Sequence, residues 1–151
     1  MKKFFLVLFT IIILSSCGFN SIYTQDENIN FEILSLKTTG DKDINYLIEK
    51  ELKKYIGKNN VRKFQVKINT TYSKNPIVKD KTGKITKYKL IANLDLEFKL
   101  DNKMQNISLN EVFNMENFND KFEEKKYEDQ IKNNLSKIML NKIIPYLTNY
   151  E

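Results

Sequence analysis

The 151-residue sequence contains no histidine and no tryptophan, a single cysteine, two prolines and four glycines. Without histidine there is no imidazole to serve as a general base near neutral pH, and the commonest transition-metal ligand is missing. Serine and cysteine nucleophile systems that depend on imidazole go with it. The lone Cys17 has no second cysteine with which to form a disulfide. The glycines stand apart at Gly18, Gly40, Gly57 and Gly83, so no glycine-rich phosphate loop is present. Carboxylate pairs such as Glu123 and Glu124 sit beside Lys125 and Lys126 and read as a solvated helix face. These absences point away from an enzyme and imply no metal and no cofactor.

What is present begins at the N-terminus. Lys2 and Lys3 precede eleven residues, Phe4 to Leu14, that are apolar except for Thr10. That core is too short for the roughly 20 residues of a spanning helix and has the form of a secretory signal. Leu14-Ser15-Ser16-Cys17 then matches the lipobox pattern: a leucine, two small residues and an obligate cysteine. Small side chains let the extended chain enter a peptidase cleft, and the thiol is the atom that takes the diacylglycerol. The expected product is cut before Cys17 and lipidated on it. Each buried methylene contributes about 0.8 kcal/mol, so two or three acyl chains hold durably where one does not. Gly18, in place of an aspartate resembling an inner-membrane retention signal, directs the expectation to the outer membrane, periplasmic side.

Sixteen residues removed from 151 leave 135, enough for one domain that buries roughly two-thirds of its unfolded surface. The net charge falls from +6 to +4, because Lys2 and Lys3 leave with the signal. Export argues against nucleic acid as the partner of this basic chain and leaves anionic lipid and carbohydrate phosphates. The abundance of Lys, Asn and Ile together also fits an AT-rich coding sequence with no specific anion in view.

Residues 1–16 are thus read as the signal, 17–29 as a lipidated polar tether and 30–151 as the domain. Phe31, Ile33, Leu34 and Leu36 mark a first strand with imperfect alternation, and Thr38-Thr39-Gly40-Asp41 reads as a turn with Asp41 as helix cap. Ile44, Leu47, Ile48, Leu52, Tyr55 and Ile56 step by threes and fours, which predicts an amphipathic helix that Gly57 ends. Phe64 to Tyr72 alternates cleanly, as do Tyr88 to Leu100, with Ile91 the exception, and Gln105 to Phe113, where Ile107, Leu109 and Phe113 face inward. Asp101-Asn102 is a tight-turn signal between the last two strands. A final helix from Asp120 to Leu147 carries Tyr127, Ile131, Leu135, Ile138, Met139, Lys142, Ile143 and Tyr146 at helical spacing, with Pro145 kinking or ending it near its last turn. The order β-α-β-β-β-α predicts an α+β two-layer sandwich, two helices on one face of a four-stranded, mostly antiparallel sheet. Whether the first and last strands are neighbours or edges is left open by the pattern.

Cys17-Gly18-Phe19, followed by Ile22-Tyr23, resembles the start of the mature lipopolysaccharide-assembly lipoproteins, the LptE family, and the order of elements agrees along the mature chain. The resemblance implies a partner, an outer-membrane β-barrel translocon of the LptD type, in whose lumen the domain sits as plug and folding aid while lipopolysaccharide reaches the outer leaflet. Between the second and third strands lie Lys79, Asp80, Lys81, Thr82, Gly83 and Lys84, then Lys87, with Pro76 and Gly83 suggesting a projecting loop. Lys79, Lys81, Lys84 and Lys87 are the candidate residues facing lipid A phosphates, an attraction weakened by salt; the other reading is a hairpin kept soluble by its charge. An alternative function is a periplasm-facing accessory lipoprotein of an inner-membrane lipid or solute transporter, binding cargo in the groove between sheet and helices. Its sign would be a sizeable apolar pocket.

Overall fold

A computed structural model describes residues 30–150; the segment 1–16, Cys17 and the tether up to Ile29 lie outside the described residues. The described elements are β1 (Phe31–Gly40), α1 (Lys42–Leu52) with a closing 3-10 turn (Lys53–Tyr55), β2 (Arg62–Lys79), β3 (Ile85–Leu100), β4 (Lys103–Glu116) and α2 (Lys121–Asn149). The α+β order read from the sequence is the order observed. One sheet holds the strands as β1-β2-β3-β4, with β1 parallel to β2 and the other pairs antiparallel. β1 and β4 are therefore its two edges, which answers the question the pattern left open.

Alternation decides the two faces. Phe64, Val66 and Ile68 of β2 and Leu90, Ala92, Leu94, Leu96 and Phe98 of β3 are buried toward the helices. Each large apolar side chain so buried contributes roughly 1.5–3 kcal/mol. At one end of the sheet an aromatic series crosses three strands: Phe31 to Phe64 at 5.8 Å and Phe64 to Phe98 at 5.5 Å between ring centroids. Tyr150 closes over Phe98 at 5.0 Å, edge to face, and so locks the C-terminal end of α2 onto the sheet. Arg62, at the start of β2, donates to the carbonyls of Thr148 and Tyr150 and satisfies acceptors that the end of α2 leaves open.

Several boundaries differ from the sequence reading for local reasons. β1 runs on through Thr38 and Thr39 to Gly40 instead of turning there, and its imperfect alternation is a register shift between Ile33 and Ser35 that leaves Leu34 exposed. Asp41 is the cap as expected, its carboxylate accepting from the N–H of Asp43 and Ile44 at 3.1 and 3.0 Å. α1 stops at Leu52, and Ile56 leaves the helix to bridge Ile33 before Gly57 takes a positive φ of 71°. α2 continues one turn past Pro145, whose ring is exposed. Tyr127, Ile138 and Tyr146 rim the buried stripe and are 37–41% exposed, while Lys142 is exposed and pairs with Glu111. The buried line is instead Ile131, Leu135, Met139, Leu140, Ile143 and Leu147. On β4 Met115 is buried, whereas Phe113 is exposed at the margin and Ile107 and Leu109 are half-buried.

The strands outrun the helices. The 18 residues of β2 span about 60 Å and the 29 of α2 about 44 Å. The excess projects as the far end of the β2–β3 hairpin, where every residue from Asn75 to Lys84 is exposed.

Candidate functional site

The hairpin tip is a tight, self-bonded structure. Pairing persists to Lys79 opposite Ile85, so Pro76 lies inside the strand, opposite Tyr88, and the loop is confined to Asp80–Lys84. Asp80 organises it by accepting from the N–H and hydroxyl of Thr82 at 2.8 and 2.6 Å and from the N–H of Lys84 at 3.0 Å. The hydrogen bond from the Thr82 hydroxyl, helped by both backbone N–H groups and the charge of Lys84, holds the Asp80 carboxyl below its ordinary range. Gly83 supplies the positive φ of 83° that the turn requires.

All four candidate lysines lie at this end of the molecule, in two different situations. Lys79 and Lys81 are exposed and make no ion pair among the described residues. Lys84 donates to Asn119 Oδ1 at 3.1 Å, and Lys87 pairs with Glu116 of β4 at 2.7 Å. The hairpin thus presents two unpaired ammonium groups and two that are engaged with the following strand and loop, with the Asp80 carboxylate among them.

Below the tip, a polar seam joins the sheet to the N-terminal half of α2. Lys74 of β2 pairs with Glu124 at 2.7 Å and with Glu128 at 2.9 Å, and its ammonium lies 4.4 Å from the centroid of the Tyr88 ring. Tyr72 donates its hydroxyl to Glu128 at 2.9 Å. Lys132 crosses to α1, pairing with Asp43 at 2.8 Å and Asp41 at 3.2 Å over the face of Tyr72. Glu124 is 5% exposed, which corrects its assignment to a solvated face. Burial alone would raise its pKa. Hydrogen bonds from Lys121, Lys74 and the Phe118 N–H, with the charge of Lys74, outweigh this and bring it down to about 2. Burial pushes the Tyr72 phenol well above its ordinary range, and the bond to Glu128 adds to that. For Lys74 and Lys132 burial favours the neutral amine, but their carboxylate partners win and raise both.

The sequence reading missed this seam. Its one local signal is spacing: Glu124, Glu128 and Lys132 recur every four residues and lead into the apolar line of Leu135 and Met139. The partner Lys74 is 50 residues from Glu124 and lies on the inward row of β2, where alternation from Phe64 calls for an apolar residue. Among the described residues no group of three His, Cys, Asp or Glu side chains is placed to hold a metal.

Among the described residues the opposite face of the sheet carries no helix. Across its middle run rows of short polar side chains: Thr39, Asn69, Asp95 and Ser108 in one, Thr71, Asn93 and Asn110 in the next. They bond to one another, Ser108 to Asp95 at 2.6 Å, Thr39 to Asn69 at 3.0 Å and Asn93 to Thr71 at 3.1 Å. An open depression of about 540 Å³ lies here, bordered by the Lys67–Glu97 pair. A second cavity of about 450 Å³ lies on the surface beside Pro145 and Tyr150. Neither lies between sheet and helices, where Phe64, Val66, Leu94, Leu96, Met139 and Ile143 fill the space.

No family model matches the chain, and no curated protein matches it. Among solved structures it is similar to rare lipoprotein B of Shewanella oneidensis, with a TM-score of 0.57 and 12% identity over 76% of this chain and 97% of that one. It is also similar to a Caulobacter crescentus protein described as a lipoprotein, with a TM-score of 0.50 and 9% identity over 76% of this chain and 88% of that one. At such identities the likeness is one of fold.

Proposed function

We propose that this chain is a lipid-anchored protein of the outer membrane that seats, as plug and folding aid, in the lumen of an LptD-like β-barrel translocon and serves lipopolysaccharide transport. The observation that supports this reading is the uncovered sheet face. The lumen of such a barrel is polar. A surface that meets it must give up water without stranding ions, because an unpaired buried charge costs several kcal/mol whereas an amide or hydroxyl can exchange one partner for another. At the centre of this face Asn69, Thr71, Asn93, Ser108 and Asn110 are short, uncharged and rich in both donors and acceptors, and the one carboxylate among them, Asp95, already accepts a hydrogen bond from Ser108.

Within this reading the hairpin end carries Lys79 and Lys81 toward lipopolysaccharide phosphates, and no covalent step is performed. The role at the outer membrane, the barrel partner and the cargo rest on the lipobox, the Cys17-Gly18-Phe19 start and this surface taken together. Lipidated, tagged protein extracted from its own membranes in mild detergent tests the proposal. A large outer-membrane β-barrel co-eluting in roughly equal amount is the expected outcome. An inner-membrane transporter in its place would overturn the barrel reading in favour of an accessory lipoprotein, and recovery of no partner would overturn it as well.

A further inference from the structure

The end of the molecule opposite the hairpin tip brings together three features that the barrel reading does not use. The described chain enters there, at Asn30, immediately before Phe31. The segment between α1 and β2 returns to the same point, because Asn60 donates its side-chain amide to the Phe31 carbonyl at 2.9 Å and Ile56 bridges Ile33. The short loop between β3 and β4, at Asp101 and Asn102, completes this end.

Apolar side chains and lysines share this end with the exposed Asp101 carboxylate of the β3–β4 turn and the amides of Asn59 and Asn102. Val61 is 97% exposed, with Ile56 at 44% and Met104 at 56%. A valine almost wholly in water, on a loop pinned by its neighbour Asn60, gains nothing from the fold itself. At the same end stand the exposed Lys58 and Lys103 and the half-buried Lys99, none of which has an acidic partner among the described residues. Lys53 and Lys63 add further ammonium groups at 60% and 47% side-chain exposure, each beside one glutamate. Apolar tips set among unpaired lysines are the composition of a surface that meets anionic headgroups, the lysines attracted to the phosphates and the apolar tips entering the interface.

We infer that this end, with Val61 at its tip and Lys58, Lys99 and Lys103 around it, is a membrane-facing surface that docks on anionic phospholipid. The length of chain outside the structure selects this occupant. Thirteen residues, Cys17 to Ile29, separate the lipid-bearing cysteine from Asn30. Fully extended they reach no more than about 45 Å. The end where they enter is therefore confined to within about 45 Å of the bilayer, while the hairpin tip is free to lie about 60 Å further along β2. On a bilayer without the barrel, docking at this end would point the hairpin tip away from the membrane, so it describes the free lipoprotein and not the chain seated in a lumen. The inference rests on the lipid anchor of the proposed function but not on the barrel or its cargo.

The test uses the full lipidated chain in phosphatidylcholine vesicles with or without phosphatidylglycerol. With Cys17 acylated, Val61→Cys provides a unique thiol for a fluorophore, and Lys81→Cys provides the same at the hairpin tip. Quenching by nitroxide-headgroup lipid is expected to be about twofold stronger at position 61 when phosphatidylglycerol is present, and unchanged at position 81. Adding Lys58→Glu, Lys99→Glu and Lys103→Glu should abolish that gain, as should high salt. Equal quenching in the two vesicle types, or a gain that survives the three charge reversals, would overturn the inference. Flotation with the vesicles reads the anchor separately. A chain that fails to float overturns the anchor and this inference with it, whereas one that floats without lipid-dependent quenching at position 61 overturns the docking surface alone.

Discussion

Replacing Lys74 with methionine keeps the length of the side chain and removes one charge from the seam between β2 and α2. In the native protein that ammonium lies 2.7 Å from Glu124 and 2.9 Å from Glu128, two carboxylates that are 7% and 12% exposed at the side chain. Breaking a buried ion pair from one side costs about 3–5 kcal/mol. Lys121 still reaches Glu124 at 2.8 Å, and Lys74 itself is 23% exposed, so the expected loss at pH 7 is about 2–3 kcal/mol. Urea denaturation followed by far-ultraviolet circular dichroism reads it as a lower midpoint with an unchanged slope.

The pH dependence separates charge from packing. Glu124 is held at about 2 in the folded protein against an ordinary 4.5, so its contribution is complete above pH 4.5 and is lost as the pH falls toward 2. Allowing for solvent screening around the exposed Lys121, that contribution is on the order of 2 kcal/mol. Without Lys74 the Glu124 carboxyl loses one hydrogen bond and one favourable charge, keeps those from Lys121 and the Phe118 N–H, and its pKa rises. The variant then loses less than the native protein between pH 4.5 and pH 2, and the two stabilities converge. Changing the whole group together, Lys74→Met with Glu124→Gln and Glu128→Gln, should recover much of the pH 7 loss, since no unpaired charge remains. A stability gap that stays constant from pH 7 to pH 2.5, or no gap at pH 7, would refute the argument.

Four other variants have expected outcomes. Gly40→Ala places a Cβ 1.8 Å from the Thr70 carbonyl oxygen at a φ of 101°, so β1 must part from β2, and a loss of about 3 kcal/mol or more is expected in thermal melts. Gly83→Ala, at a φ of 83° with nothing near the new methyl, should cost only about 1 kcal/mol in the same assay. Pro145→Ala restores a backbone N–H inside α2 and should raise the urea midpoint by the equivalent of about 1 kcal/mol. Replacing Lys79, Lys81, Lys84 and Lys87 together by glutamine removes one exposed ion pair, Lys87 with Glu116, and should change stability by less than about 1 kcal/mol. The same quadruple variant should bind lipopolysaccharide more weakly at low salt; unchanged binding would refute the role assigned to the tip.

The fold was legible in the sequence wherever one face of one element carried the information. The row Phe64, Val66, Ile68 and the row Leu90 to Phe98 alternate with polar residues because one side of the sheet is wet, and that period survives any arrangement of neighbours. Asp41 likewise acts on the backbone beside it, as cap, whereas Gly57 takes its positive φ only after Ile56 has already left the helix. The match of Leu14-Ser15-Ser16-Cys17 to the lipobox pattern is a feature of the sequence alone and is independent of the fold. The candidate lysines were legible only as a cluster in sequence. That Lys87 is engaged by Glu116 while Lys81 is not depends on the pairing of β3 with β4.

What tertiary structure alone decided is the outcome of contacts between distant segments. The position of β1 and β4 at opposite edges follows from the crossover through α1, which sets β1 parallel beside β2, a choice that no local period records. α2 carries Glu124, Glu128 and Lys132 on its inward side because Lys74, Asp41 and Asp43 wait there to pair with them, and burial of a charge is tolerated only where its partner is in place. The end around Val61 and Lys58 is a surface only because β1, the segment entering β2 and the β3–β4 turn finish at one place. Short-range periodicity determined which side of each element turns inward, since that depends on backbone geometry; which element it meets depends on the summed packing of the whole chain.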